Sequence, residues 1–273
     1  MGKLILEANR SEKNYWRDLW RYRELFYVLA WRDVAVRYKQ TIIGAAWAVL
    51  QPVVTMIVFT VIFGRVAKLP TEGNVPYPLM VFAAMLPWQF FASAISGASQ
   101  SVVTNSNLIS KIYFPRMIVP AGAVITALVD FAVSFSVLLC LMVWFHVWPT
   151  ARMLALLPLI AMACAAALGP GLLLTALTVK FRDFRFVLPF IVQLGLYISP
   201  VGFSSSVISE KWRLLYSLNP MVGVIDGFRW AILGADVPLY KTGFLLSIGV
   251  TVCLLGLGIW YFRKTERTFA DTI

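Results

Sequence analysis

The chain has 273 residues, 60% of them apolar and 14% charged, where a soluble domain carries roughly 45–50% apolar and about 25% charged residues. These proportions exclude a water-soluble fold, and apolar runs longer than the roughly 18–20 residues that cross about 30 Å of hydrocarbon make this a polytopic membrane protein. A membrane rather than nucleic acid accounts for the formal charge of +11, and the longest hydrophilic stretch, residues 1–41, is well short of the roughly 100–150 residues of a soluble catalytic domain.

The first residues, Met1 to Lys13, carry Lys3, Glu7, Arg10 and Glu12 with no apolar core, so no cleaved signal is expected. From Tyr15 to Leu29 the residues Tyr15, Leu19, Tyr22, Phe26 and Leu29 recur in steps of four and three, with Arg17, Asp18, Arg21 and Glu24 on other faces. That spacing predicts an amphipathic helix lying in the membrane interface. Spans are predicted at Ile42 to Phe63, Leu79 to Val103, Met117 to Val147, Leu154 to Val179, Val187 to Phe203 and Thr242 to Phe262. The fifth is short and broken by Ser199-Pro200-Val201-Gly202, which removes a backbone donor and must be buried in protein or line a cavity. Between the last two spans, residues 204–240 mix apolar residues with Pro220, Gly223, Gly227 and Gly234, a pattern read as short helices dipping into the outer half of the membrane.

With the N-terminus inside, 17 of the 24 Lys and Arg fall on the cytoplasmic side and 7 outside, which places both termini in the cytoplasm. The expected fold is therefore all-α: a polytopic membrane protein of six transmembrane helices, an N-terminal interfacial amphipathic helix and short re-entrant outside helices before the last span. Residues 1–41 form the cytoplasmic N-terminus, 42–262 the six-span domain with a cytoplasmic loop at 104–116 and an outside segment at 204–240, and 263–273 a cytoplasmic tail.

Few residues invite chemistry. Cys140, Cys164 and Cys253 lie apart within apolar runs and read as packing residues, not as disulfides or metal ligands. The one histidine, His146, sits at the outer end of a span. Asp130 is the single carboxylate deep in a span, at a cost of about 2.5–3.5 kcal/mol if unpaired. Two roles stay open for it: a pathway or gate residue, or an interhelical hydrogen bond to Ser134, Ser136 or a neighbouring helix. The 10 Trp, 10 Tyr and 19 Phe suit interface belts, and those elsewhere suit the apolar faces of sugar rings. Gly44, Gly64 and Gly97 offer close helix approach. No G-x-x-x-x-G-K-[ST] phosphate loop occurs, so any nucleotide energy must come from a partner.

The run Trp31-Arg32-Asp33-Val34-Ala35-Val36-Arg37-Tyr38-Lys39-Gln40-Thr41-Ile42-Ile43-Gly44, followed by Ala46-Trp47-Ala48-Val49-Leu50-Gln51-Pro52 and Val58-Phe59-Thr60-Val61-Ile62-Phe63-Gly64, resembles the opening signature of ABC-2-type permeases. More narrowly, it resembles the membrane subunit of bacterial polysaccharide exporters for O-antigen, capsule or teichoic acid. Pro87-Trp88-Gln89-Phe90-Phe91, Asn107 to Arg116, Tyr216 to Met221 and Gly227-Phe228-Arg229-Trp230 continue the match.

The resemblance implies a non-enzymatic, multi-pass inner-membrane subunit that pairs with a second copy of itself and with two ATP-binding subunits, which hold ATP and Mg. Its cargo would be a glycan linked to a polyprenyl pyrophosphate, passed between the halves and surrounded by membrane lipids. It further implies that Ser110, Lys111, Ile112, Tyr113, Phe114, Pro115 and Arg116 dock on the ATPase. The outside segment would act as a gate, with Pro200, Trp212, Tyr216, Asn219, Pro220, Phe228 and Arg229 as its candidate residues. Arg32, Arg37, Tyr38 and Lys39 lie where the pyrophosphate head group would arrive, although anionic lipids favour the same charges there.

Three rivals remain. A permease of the same fold exporting a drug or small lipid shares every feature above. A polyprenyl-linked sugar transferase calls for clustered acids, yet Asp226 and Asp236 are ten residues apart and Asp130 is alone. A secondary transporter favours internal repeats and several membrane carboxylates, and neither is present.

Overall fold

A computed structural model describes residues 15–39, 42–71, 75–234, 237 and 239–269, without the side chains of 42–48. The expectations placed on Met1 to Lys13, Asp236, the tail beyond Phe269 and the packing of Gly44 lie outside the described residues. Within them all regular structure is helical, and five helices are long and apolar enough to cross a membrane.

The first spanning helix, Val49–Val66, joins α3 (Ile42–Phe59) to a π-helical end at Thr60–Val66. The second is α4 (Tyr77–Thr104), followed by the short α5 (Ser106–Lys111) and then α6 (Ile118–Trp144). A 3₁₀ turn, Ala151–Ala155, leads into α7 (Leu156–Lys180). The chain continues through α8 (Phe184–Ile198), α9 (Glu210–Tyr216), α10 (Pro220–Leu233) and α11 (Lys241–Thr265). Helix α8 has only 15 residues, about 22 Å at 1.5 Å per residue, because Ser199-Pro200 stops it where the expected span was to continue.

Helix α4 is the centre of the bundle. Every residue from Leu79 to Leu86 is at most 2% exposed, as befits a helix apolar on all sides, and it packs against α3, α6, α7, α8 and α10. Helices α7 and α11 cross with backbones touching: a Cβ on Gly169 would lie 2.7 Å from the Leu255 nitrogen, and one on Gly258 would strike the Gly169 carbonyl. These glycines make the tightest helix contact. Gly97, facing Ala123, and Gly64, facing the Tyr77 ring, make looser ones.

The N-terminal helices correct one expectation. Helices α1 (Tyr15–Arg21) and α2 (Arg23–Lys39) are joined by hydrogen bonds from Tyr22 N to Asp18 O and from Phe26 N to Tyr22 O. Their predicted apolar stripe is buried against protein: Tyr15 and Leu29, flanked by Leu19, Tyr22 and Phe26, pack into a cluster with Phe114, Ile118, Val179 and Phe262. The exposed stripe is another one, Trp16, Trp20, Tyr27 and Trp31. Moreover, Ala30 abuts Gly122 and Tyr38 meets Asp130, both at the same sequence offset, so α2 runs parallel to α6.

Candidate functional site

Polar residues recur at helical spacing inside the apolar helices: Gln51 and Thr55 on α3, Gln89, Ser93 and Ser96 on α4, Asp130 and Ser134 on α6. Residues four and seven apart share a helix face, and a polar face among spanning helices must meet protein or water. These faces converge, with Gln193 of α8, on a cavity of about 610 Å³. Trp88, Phe90 and Phe131 supply its aromatic walls and Arg37 of α2 reaches its side. Three carboxamides, several hydroxyls and flat rings offer hydrogen bonds and stacking together, the combination that suits a polyhydroxylated ring.

Asp130 is held from α2. Tyr38 donates from its hydroxyl to Oδ1 at 2.6 Å, and Arg37 Nη1 lies 2.9 Å from Oδ2. Of the candidate partners on its own helix, Ser136 donates to the Val133 carbonyl instead. The carboxylate is 16% exposed and the arginine 49%, so the pair is open on the arginine side. Burial first, then the hydrogen bond to Asp130 and its charge, raise the Tyr38 phenol far above its ordinary range, with Arg37 opposing. Tyr38 is thus a neutral donor throughout the physiological range. Of the other residues grouped with it, Arg32 bonds Asp33 at 2.7 Å and Asn105 at 2.8 Å, and Lys39 is exposed; neither lines the cavity.

At the other end, the break after α8 is stitched to α4, α9 and α10. Arg229, wholly buried, donates from Nη1 to the Phe203 carbonyl at 2.9 Å and from Nη2 to the Val201 carbonyl at 3.1 Å. Its Nε reaches the Met80 carbonyl at 3.4 Å. Tyr77 donates to the Gly202 carbonyl, Tyr216 to that of Ile198 at 2.6 Å, and Asn219 Nδ2 to Ser199 Oγ at 3.0 Å. The break is therefore buried in protein, as its composition requires, and its freed carbonyls find side-chain donors.

Asn219 also caps α10, accepting from Met221 N at 3.0 Å, with Pro220 in the first turn where its missing donor costs nothing. Phe228 is buried edge-on to Phe131, ring centres 6.0 Å apart, which links α10 to the cavity wall. Trp212 stands outside this network, exposed beneath Lys211. Sequence reasoning missed Tyr77 and also Arg152, which bonds the Gly234 carbonyl at 3.0 Å and lies over the Trp230 ring. It missed Gln51, Gln89 and Gln193 as well, although the spacing of the first two with nearby hydroxyls was a usable signal.

In the loop before α6, Ser110, Lys111, Ile112 and Tyr113 are exposed, while Phe114 is 3% exposed and turned into the bundle. Pro115 is buried with it, and Arg116 donates to the Glu266 carbonyl. Of the two aromatic residues in this candidate dock, only Tyr113 is exposed, beside Ile112.

Residues 24–233 match the family model for ABC-2 type transporters. The chain belongs to that family. The matched stretch of this ABC-2 transporter chain takes in the cavity, the loop at 104–116 and the stitched break, and it leaves out α1 and α11. Over 260 residues the chain is 26% identical to the O-antigen export system permease protein RfbA of Myxococcus xanthus, covering 94% of this chain and 98% of the relative. A permease of the same name from Klebsiella pneumoniae is 26% identical over 258 residues, covering 92% and 95%. The polysialic acid transport protein KpsM of Escherichia coli is 22% identical over 237 residues, covering 85% and 91%. The five apolar helices agree with the multi-pass membrane protein that ABC-2 membership implies.

Proposed function

We propose that this chain is the permease subunit of an ATP-driven exporter that carries a lipid-linked surface polysaccharide, foremost O-antigen, outward across the bacterial inner membrane. The observation that carries the reading is the end-to-end similarity to O-antigen export permeases, 94% of this chain against 98% of one of them. The cavity supports it, because carboxamides and hydroxyls beside Trp88, Phe90 and Phe131 match the polar edges and apolar faces of sugars.

In this reading the subunit works as a homodimer with two ATP-binding subunits, and the glycan passes along the two-fold interface, since six packed helices leave no wide central hole. Helix α8 with the buried break behind it counts as the fifth of six spans, and both termini are cytoplasmic. Arg37, beside the cavity, receives the pyrophosphate head group. The segment at 204–240 gates the outer end, and Ser110 to Tyr113 face the ATPase.

Purification of the tagged permease in mild detergent should bring down a stoichiometric ATP-binding subunit, and deletion of the gene should strip a glycan from the cell surface while its lipid-linked form accumulates inside. An unchanged surface glycan together with altered drug or lipid sensitivity would replace this reading with the small-substrate exporter.

A further inference from the structure

Glu266 is a carboxylate only 6% exposed, in the 3₁₀ turn Glu266–Thr268 that ends the last helix. A carboxylate so placed is costly unless other groups compensate it. Its Oε2 accepts a hydrogen bond from Tyr15 OH at 3.1 Å, and its backbone carbonyl accepts one from Arg116. The Arg263 guanidinium sits 4.5 Å from the Tyr15 ring centre, and Phe269 packs edge-on to Phe262 at 5.3 Å. One residue thereby joins the start of α1, the loop before α6 and the end of α11, partners 251 and 150 residues away in sequence. Neither Tyr15 nor Glu266 lies in the stretch shared with the family, 24–233.

What the tie holds is mechanically connected to the cavity. Helices α1 and α2 follow one another across a turn at Tyr22 that is bridged by the Tyr22 N to Asp18 O and Phe26 N to Tyr22 O hydrogen bonds, so Tyr15 and Tyr38 stand at the two ends of a tandem helix pair. At the far end Tyr38 and Arg37 grip Asp130, which lines the cavity. A packed helix transmits displacement along its axis better than a loop does.

We propose that Glu266 is a positioning residue for energy coupling: it clamps the loop at 110–116 to the N-terminal helix, so that a push on the loop moves α1–α2 and, through Tyr38 and Arg37, the cavity wall at Asp130. The proposal rests on the reading of that loop as the ATPase dock. Glu266 acts on the loop and on α1 through Arg116 and Tyr15.

The test uses the full permease with its ATP-binding subunit, comparing Tyr15→Phe, Glu266→Ala, their combination and Glu266→Gln. Tyr15→Phe removes a single oxygen and keeps the ring under Arg263. It should leave insertion and ATPase co-purification intact, yet lower export per ATP hydrolysed by about tenfold, the size expected for one hydrogen bond to a charged group. Glu266→Ala should match it, the double variant should be no worse than either single, and Glu266→Gln, whose carboxamide oxygen still accepts from Tyr15, should restore export. Unchanged coupling in Tyr15→Phe, or losses that multiply in the double variant, overturn the proposal. Failure of the wild-type permease to bind any ATPase would instead sink the docking reading. The clamp is then read from amide hydrogen exchange: Tyr15→Phe should speed exchange at 15–22 and 112–116 together, and unaltered exchange there refutes it.

Discussion

Tyr38 and Asp130, 92 residues apart in sequence, meet through a 2.6 Å hydrogen bond. The N-terminal helix is thereby fixed alongside α6 and supplies the spanning carboxylate with both its phenol and, from Arg37, its countercharge at 2.9 Å. A charge that would burden an isolated span becomes the attachment point for a second helix. The same two residues bring the N-terminal segment to the edge of the polar cavity.

Separate substitutions distinguish attachment from transport. Asp130→Leu and Tyr38→Phe should each lower the stability of the detergent-purified protein by about 0.6–2 kcal/mol, the range of intramembrane hydrogen bonds. Asp130→Asn, which still accepts from Tyr38, should stay near wild type in stability. Thermal unfolding measures the first effect and surface glycan the second; lost export in a stable Asp130→Asn protein would assign the charge itself to the pathway.

Arg229 should be among the least replaceable residues of α10. Arg229→Met leaves the Val201 and Phe203 carbonyls, now bonded at 3.1 and 2.9 Å, without donors. A loss of about 2–5 kcal/mol is expected, since each orphaned buried group costs about 1–3 kcal/mol. Arg229→Lys should recover part of it, and Tyr216→Phe, which frees only the Ile198 carbonyl, should cost about 1 kcal/mol. Chemical unfolding in detergent would show the order, and an Arg229→Met protein as stable as Tyr216→Phe would contradict the network.

The loop before α6 predicts a split between neighbours. Phe114→Ala removes a ring that is 3% exposed and should destabilise the fold by about 3–5 kcal/mol. Tyr113→Ala, at 51% exposure, should leave stability unchanged while weakening co-purification of the ATP-binding subunit, because exposed tyrosines often dominate interface energies. Normal co-purification and export in Tyr113→Ala would remove this loop from the docking surface.

Orientation is open to direct labelling. In a background lacking Cys140, Cys164 and Cys253, single cysteines at the exposed positions Thr71 and Ser209 should react with an impermeant thiol reagent in intact cells, and one at the exposed Ser110 should not. Labelling at Ser110 alone would invert the topology and with it the assignment of the coupling loop.

The sequence by itself determined the membrane class, the long apolar helices, a break in the fifth apolar run at 199–202 and the family, because each is written in local composition, charge bias or contiguous motif. It also determined that one stripe of residues 15–29 is buried, since a 3.6-residue period marks a covered face wherever it occurs. Only the tertiary structure decided what covers that face: protein instead of lipid, which left Trp16, Trp20, Tyr27 and Trp31 outward. It likewise decided that Asp130 is held by α2, that Phe114 points inward while Tyr113 does not, and that Gln51, Gln89 and Gln193 share one cavity. Periodicity reports that a side chain is shielded, but the identity of the shield is set by which helices cross. In this chain that choice depends on backbone contacts such as Gly169 against Gly258, nearly ninety residues apart, which no local pattern encodes.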